Sequence, residues 1–461
     1  MKIHIENLGI LCQAEFELAD MTIICGRNNT GKTYATYALF GFLSSWREIF
    51  SIAVQDSTIN QLLAEGSVSI DLDEYVSTAA DIITRGCRDY VKRLPVVFAA
   101  PEDRFRESEF MVSFAENIIP STEQYDQKMR TAQADIFSIT KSEGSTHLVV
   151  TLLVEKEKVK IPTNIVRRII GNAVKDIIFS HLFPRPFIAS AERTGVAIFR
   201  NELNFARNRL LEELSQKDKD VDPFELLTKE YKNYALPVET NVDFTRKLEK
   251  LARFSSFITE NHPELLIDFS QIIGGEYTVT RNDELYFIPM GKRIKLSMDE
   301  SSSGVRSLLD LGFYLRYVAQ RGDLLMIDEP ELNLHPENQR HIARLFARLV
   351  NIGIKIFLTT HSDYIIKELN TLIMLNHDRP HLKKIVEREK YLKEELLSSD
   401  KVKVYIAEKT LMKQKGKTRQ SQCNTLIPAD ISPELGIEAR SFDETIEEMN
   451  RIQEEIIWGG E

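Results

Sequence analysis

Apolar residues along this chain change their period several times, and each change marks an element. Residues 2–18 alternate, with Ile3 and Ile5 followed by Ala14, Phe16 and Leu18, which predicts an antiparallel ribbon. Met21-Thr22-Ile23-Ile24-Cys25 is a short apolar run that reads as a buried strand. From Lys32 to about Trp46 the residues Tyr34, Ala38, Leu39, Phe42 and Leu43 recur at helical spacing. The pattern is helical from about 57 to 94, polar and irregular over 100–143, strand-like over 145–155 and amphipathic helical over 164–183. A second helical block spans 195–260, broken by Ser215-Gln216-Lys217-Asp218-Lys219-Asp220 as an exposed turn. Its heptads are not sustained, so a short lid or arm is expected in place of a long coiled coil. Residues 277–281 and 285–289 predict a β-hairpin joined by Asn282-Asp283-Glu284, and 308–317 a helix. Strand patterns follow at 323–328, 354–360, 371–376 and 402–407, and 441–458 reads as a helix with apolar Ile446, Met449, Ile452 and Ile456. No internal repeat is visible.

Chemistry enters where the first buried strand meets the first helix. Gly26-Arg27-Asn28-Asn29-Thr30-Gly31-Lys32-Thr33 fits G-x-x-x-x-G-K-[ST] in its strand-to-helix context. Gly26 and Gly31 free the loop to turn successive backbone N–H groups inward onto phosphate oxygens, and the helix aims its positive end at the same anion. Lys32 would reach the β- and γ-phosphates, and the Thr33 hydroxyl would ligate Mg2+. About three hundred residues later, Leu324-Leu325-Met326-Ile327 runs into Asp328-Glu329. Asp328 is expected to complete the Mg2+ shell and Glu329 to polarise the attacking water as general base. These patterns make the chain an ATP-binding protein with magnesium as cofactor and an ATPase in expectation. Two further stations belong with them. Ser301-Ser302-Ser303-Gly304 precedes a helical run and forms an anion site at a helix start. His361 follows the 354–360 strand at the distance of a γ-phosphate contact.

Composition narrows the setting. The chain has 461 residues, enough for two or three domains, with 43% hydrophobic and 28% charged residues. No apolar run reaches the roughly eighteen residues of a membrane span, and the N-terminus lacks a signal peptide's apolar stretch. Cys12, Cys25, Cys87 and Cys423 are scattered, which fits a reducing cytosol and argues against a zinc site. A cytoplasmic protein without membrane contact is expected. The net charge of −10 does not suggest a constitutive nucleic-acid binder. Residues 379–420 are nonetheless locally basic, from Arg379, Lys383 and Lys384 through Lys415, Lys417 and Arg419. That stretch is either a solvated helix with a polar hairpin or a docking surface for nucleic acid or an acidic phage protein.

The order of glycine loop, serine-glycine signature, Asp-Glu and histidine resembles the ABC-type ATPase head, whose members include transporter motors, Rad50-like proteins, RecF and the OLD and AAA15 ATPases. The segment Asp328-Glu329-Pro330-Glu331-Leu332-Asn333-Leu334-His335-Pro336 is similar to the OLD/AAA15 form. Phe187-Ile188-Ala189-Ser190-Ala191-Glu192-Arg193-Thr194 resembles a segment of the same type, and Arg193 is either a phosphate contact or a surface salt bridge. The resemblance implies an α/β fold, an ABC-type head with a mixed central sheet, an antiparallel β subdomain and helical insertions. It divides the chain into a discontinuous head, 1–55 and 270–376; a mostly helical insertion, 56–144; a strand-helix-strand return, 145–194; a second helical insertion, 195–269; and a C-terminal α/β extension, 377–461. It further implies composite sites, in which Ser302, Ser303 and Gly304 of one protomer close over the nucleotide held by Lys32 of another. The signature departs from L-S-G-G-Q, with Ser303 and Val305 in place of the first glycine and the glutamine. More finely, the chain resembles ATPase subunits of bacterial anti-phage systems, most of all the PARIS ATPase family (AriA), with the Septu ATPases as near competitors. That resemblance implies a homo-oligomer that senses a phage-encoded trigger protein and holds, then releases, a separate Toprim-type effector nuclease. No Asp-x-Asp occurs among the hundred residues after His361, so a nuclease within this chain is not expected. The alternative is a DNA-maintenance or repair ATPase in the manner of RecF or SMC proteins.

Overall fold

The computed structural model describes residues 1–130, 135–153, 162–199, 234–280, 282, 284–412, 420–437, 449 and 451–456. The expected turn at Ser215–Asp220 and most of the expected 441–458 helix lie outside them, as do 413–419 of the basic stretch. The chain forms two compact units. One comprises Met1–Ile3, Phe42–Arg93 and Glu109–Pro184, and the other His4–Gly41, Leu94–Ser108 and Arg185–Glu461.

The larger unit is built on a mixed sheet. Its strands are β1 (Lys2–Leu8), β2 (Leu11–Glu17), β3 (Met21–Gly26), β9 (Pro186–Ala189), β13 (Leu324–Asp328), β14 (Lys355–Thr360), β15 (Val402–Met412) and β16 (Ser421–Pro428), and their order is β1-β2-β16-β15-β3-β14-β13-β9. The five from β15 to β9 run parallel, while β16 pairs antiparallel with β15. Central parallel strands are covered on both faces, which is why β3 and β13 are buried along their whole length and mostly apolar. β1 and β2 are neighbours joined by two residues, the tight connection that only antiparallel strands allow. A separate antiparallel ladder, β10 (Gly275–Val279), β11 (Leu285–Pro289) and β12 (Leu296–Ser297), includes the expected hairpin and leads into the signature. The fold is therefore α/β, with a mixed central sheet and a separate antiparallel ladder. Its core joins β3, β13 and β14 to the helices Pro336–Asn351 and Asp363–Leu375 through Ile23, Ile327, Phe346, Leu358 and Leu369.

In the smaller unit, β4 (Ser67–Asp71), β6 (Tyr125–Arg130), β7 (Asp135–Lys141) and β8 (His147–Leu152) make an antiparallel sheet in the order β4-β8-β7-β6, and β5 (Glu109–Ser113) is a further strand. Its core is aromatic. Phe42, Trp46, Phe50, Phe179 and Phe183 meet with ring centroids 5.1–6.5 Å apart, mostly edge to face.

Three expectations need correction. The segment 56–144 holds strands as well as helices, and the 100–143 stretch read as irregular contains β5, β6 and β7. These strands are short; Phe110 and Val112 supply the buried face of β5 and Phe137 and Ile139 that of β7, while Asp126 to Met129 of β6 are exposed. Residues 371–376, read as a strand, belong to the helix Asp363–Leu375. Ser362 caps it by accepting from the Ile365 N–H (3.2 Å), and Ile365, Ile366, Leu369, Leu372 and Ile373 bury one helical face. The strand read at 402–407 extends to Met412 and, with β16, lies within the central sheet.

Candidate functional site

Three adjacent strands deliver the motifs to one edge of the sheet. β14 lies between β3 and β13, with Asp328 opposite Thr359 and Thr360 opposite Cys25. The glycine loop, the Asp-Glu pair and His361 thus leave neighbouring strand ends together.

Gly26 has φ +136° and Gly31 φ +104°, both in the region side chains avoid. Each also lacks room, since a Cβ on Gly26 would strike the Ala407 carbonyl and one on Gly31 the Leu11 side chain. Arg27, Asn28, Asn29 and Thr33 are exposed, whereas Thr30 and Lys32 are buried. Thr30 donates its hydroxyl to the Arg27 carbonyl (2.7 Å). The Lys32 ammonium donates to the carbonyls of Gly26 (3.1 Å) and Arg27 (2.9 Å). Burial lowers its pKa, and the charges of Glu329 and Asp328 oppose that shift.

Asp328 is 2% exposed and accepts from the Thr359 hydroxyl. Burial pushes its carboxyl up to about 6, with Thr359 pulling the other way and the charges of Glu329 and Glu192 adding to the rise. Glu329 sits at φ +51°, with its N–H donating to the Thr359 carbonyl (3.1 Å). His361 Nε2 lies 3.3 Å from Glu329 Oε1, and this hydrogen bond is the main cause holding the Glu329 carboxyl below its ordinary range. Glu331 fixes the approach of that histidine, accepting from the His361 N–H (2.6 Å) and the Thr360 hydroxyl (2.9 Å).

The signature is the helix Ser303–Ser307, capped by Ser302, whose exposed hydroxyl accepts from the Val305 N–H (3.3 Å). Gly304 faces the loop after β13, where a Cβ would stand 3.0 Å from the Asn333 carbonyl. Gly304 thus packs against the loop that follows Asp328-Glu329, while the Ser302 hydroxyl serves its own helix.

Arg193 is neither of the things expected of it. It is 2% exposed, too buried for a surface salt bridge, and its donors go to backbone carbonyls in place of an anion. Nε donates to Ser307 (2.7 Å), Nη1 to Ser190 (2.9 Å) and Asp328 (2.6 Å), and Nη2 to Glu329 (2.8 Å). Sequence reasoning also missed Thr359, Thr360, Glu331 and Glu192. Glu192 accepts from the Tyr37 hydroxyl (3.0 Å), one helical turn beyond Thr33. The two threonines end a strand already read as such, and a hydroxyl at a buried strand end beside an acid was the available signal.

A profile of the AAA ATPase domain family, AAA_15, matches residues 1–366. The chain belongs to this family. No curated protein matches the sequence. Among solved structures, the SMC head domain from Thermotoga maritima is 9% identical, with 93% of this chain and 98% of that chain covered at a TM-score of 0.30. The SmcHead bound to the C-winged helix domain of ScpA is 8% identical, over 93% and 97%, at 0.33. An Smc head domain with an extended coiled coil, bound to the C-terminal domain of ScpA derived from Pyrococcus furiosus, is 11% identical, over 98% and 98%, at 0.30.

Membership of the AAA ATPase domain family implies ATP binding, and the residues fit the ligand. The loop offers main-chain donors behind two glycines that admit no side chain, and Lys32 supplies a cation. Thr33 and Asp328 are oxygen donors of the hard type Mg2+ prefers. Among the described residues, no helix is long and apolar enough to cross a membrane. Within the basic stretch, Lys383 pairs with Asp378 (2.7 Å), Arg388 with Glu389 (2.7 Å) and Lys403 with Glu17 (3.9 Å), so part of its charge is answered locally.

Proposed function

We propose that this AAA_15 protein is an ATP-hydrolysing sensor and scaffold subunit of a bacterial anti-phage system. ATP with Mg2+ joins protomers into a homo-oligomer, which holds a separate Toprim-type nuclease and releases it when a phage-encoded trigger protein arrives. In each site Gly26 to Lys32 cradle the phosphates, Thr33 and Asp328 hold the metal, and Glu329 draws a proton from the attacking water. His361 orients Glu329 from one side and faces the γ-phosphate from the other. Ser302, Ser303 and Gly304 act on the nucleotide of a neighbouring protomer.

The observation that carries the composite site is the exposure of both halves on one chain. Arg27, Asn28, Asn29 and Thr33 face outward on the glycine loop, and Ser302 faces outward on a helix whose own contacts run to Asn333 and Arg193. The finer role is supported by the resemblance to anti-phage ATPases.

The test uses Glu329→Gln, purified with the product of the adjacent gene. ATP binding is expected to survive while turnover falls by about two orders of magnitude or more. Sedimentation should show ATP-dependent association that Lys32→Ala abolishes, with the nuclease bound until trigger is added. A Glu329→Gln protein that stays monomeric with ATP and carries no nuclease defeats the reading. Salt-sensitive, ATP-dependent retention of duplex DNA would favour a maintenance ATPase instead.

A further inference from the structure

Arg193 stands out among the buried cations because of where its donors go. Four of its five N–H groups are accounted for, all by main-chain oxygens, and they come from three segments far apart in the chain. Ser190 ends the segment after β9, Asp328 and Glu329 form the turn after β13, and Ser307 closes the signature helix. Among the acids around Arg193, Asp310, itself 2% exposed, acts on it most strongly.

The two carbonyls on the β13 side are those of Asp328 and Glu329, the groups immediately before and after the Glu329 Cα. Both peptide planes flanking the expected base are therefore gripped by one planar guanidinium. Glu329 needs such a grip, because it sits at φ +51°, a conformation a glutamate seldom adopts unless its surroundings impose it. The opposite end of the fork, Nε, is anchored on Ser307. A lysine could not replace this arrangement. Its ammonium is a compact centre with three donors, whereas the four carbonyls are spread around a flat fork.

We propose that Arg193 is a positioning residue for the ATPase reaction: it sets the carboxylate of Glu329 by fixing the peptides on either side of it against the signature helix. The inference rests on the proposed role of Glu329 as general base. Arg193 touches no nucleotide in this scheme. It acts through Glu329, and its loss moves the base while leaving the phosphate cradle of Gly26 to Lys32 in place.

The experiment measures nucleotide affinity, kcat and KM for wild type, Glu329→Gln, Arg193→Lys and the double variant. Arg193→Lys is expected to bind ATP within about threefold of wild type and to lose about a hundredfold in kcat with little change in KM, the scale of a base displaced by an ångström. In the double variant kcat should equal that of Glu329→Gln alone, because a residue acting only through Glu329 has nothing left to position. A merely structural clamp would instead lower affinity and melting temperature in both backgrounds, and the losses in kcat would multiply. Either that multiplication or a wild-type kcat in Arg193→Lys overturns the proposal. If Arg193→Lys fails to fold, Arg193→Ala prepared with methylguanidinium supplies the same group detached. Removing it should abolish turnover and spare ATP binding, and returning it should restore turnover. Turnover indifferent to methylguanidinium overturns the proposal as well. Failure of the functional reading looks different: wild type then lacks ATPase activity, or Glu329→Gln retains it.

Discussion

Asp310 is a carboxyl with almost no access to water, one oxygen 3.4 Å from the Thr245 hydroxyl and the other without a hydrogen-bond partner. Burial pushes its pKa from the ordinary 3.8 up to about 7, against the pull of Arg193. Between those values the folded protein keeps a proton that the unfolded chain releases, so folding is coupled to proton uptake. The stabilisation is fully present below about 3.8 and is lost as pH rises through about 7, with an upper bound of about 4 kcal/mol. Urea unfolding of wild type and Asp310→Asn at pH 5 and pH 8 should show wild type losing stability relative to the neutral variant as pH rises. An unchanged difference between the two would mean the carboxyl is ionised throughout. At this scale the sequence is legible where the chemistry is contiguous. Gly26 to Thr33 and Asp328-Glu329 announce themselves because phosphate and metal binding demand particular residues at fixed spacing. Arg193, Thr359 and Asp310 do not, since each works mainly through partners distant in the chain, as far as 136 positions for Arg193, and carries no local pattern.

The helices Pro336–Asn351 and Asp363–Leu375 are joined by a single buried carboxylate. Glu368, 3% exposed, accepts from Arg340 Nε and Arg344 Nε, each at 2.6 Å, and Arg344 also lies 4.1 Å over the Tyr391 ring. Removing the acid leaves the mostly buried Arg344 without its countercharge. Glu368→Ala is expected to cost about 3 kcal/mol, checked by the shift in the denaturation midpoint at constant slope. The second of these helices was only partly legible. Ser362 and the apolar spacing from Ile365 onward point to it, but Thr371-Leu372-Ile373-Met374-Leu375 alone reads equally well as a strand. Short apolar runs lack the length to separate the two periods. β7 was missed for a related reason, because its buried face rests on few residues within polar sequence, and β6 because its residues from Asp126 to Met129 are exposed.

For the molecule as a whole, the match to the AAA ATPase domain stops at residue 366, yet the central sheet does not. β15 pairs with the glycine-loop strand from Val402–Met21 to Ala407–Gly26, and β16 reaches β2 through Asn424 and Leu11. A chain cut after residue 376 leaves one side of β3 without its partner and uncovers the backbone on which Gly26 closes. Such a chain is expected to unfold without a cooperative transition and to bind no ATP, measured by circular dichroism in urea and by equilibrium dialysis. The α/β class and the mixed central sheet could be read in advance. The place of the 402–428 hairpin could not, because strand pairing across some 380 residues leaves no mark on either segment.

That pairing also dictates a timetable. The glycine-loop strand leaves the ribosome long before the strand that completes it, which is made several hundred residues later. At about 5–20 residues per second, β3 waits on the order of twenty seconds or more before β15 exists. During that interval the loop has nothing to close against, and a nascent chain should neither capture ATP nor join a partner. Nucleotide binding is thereby expected only of chains synthesised past residue 407, and the exposed apolar edge of β3 is the part most in need of a chaperone until then.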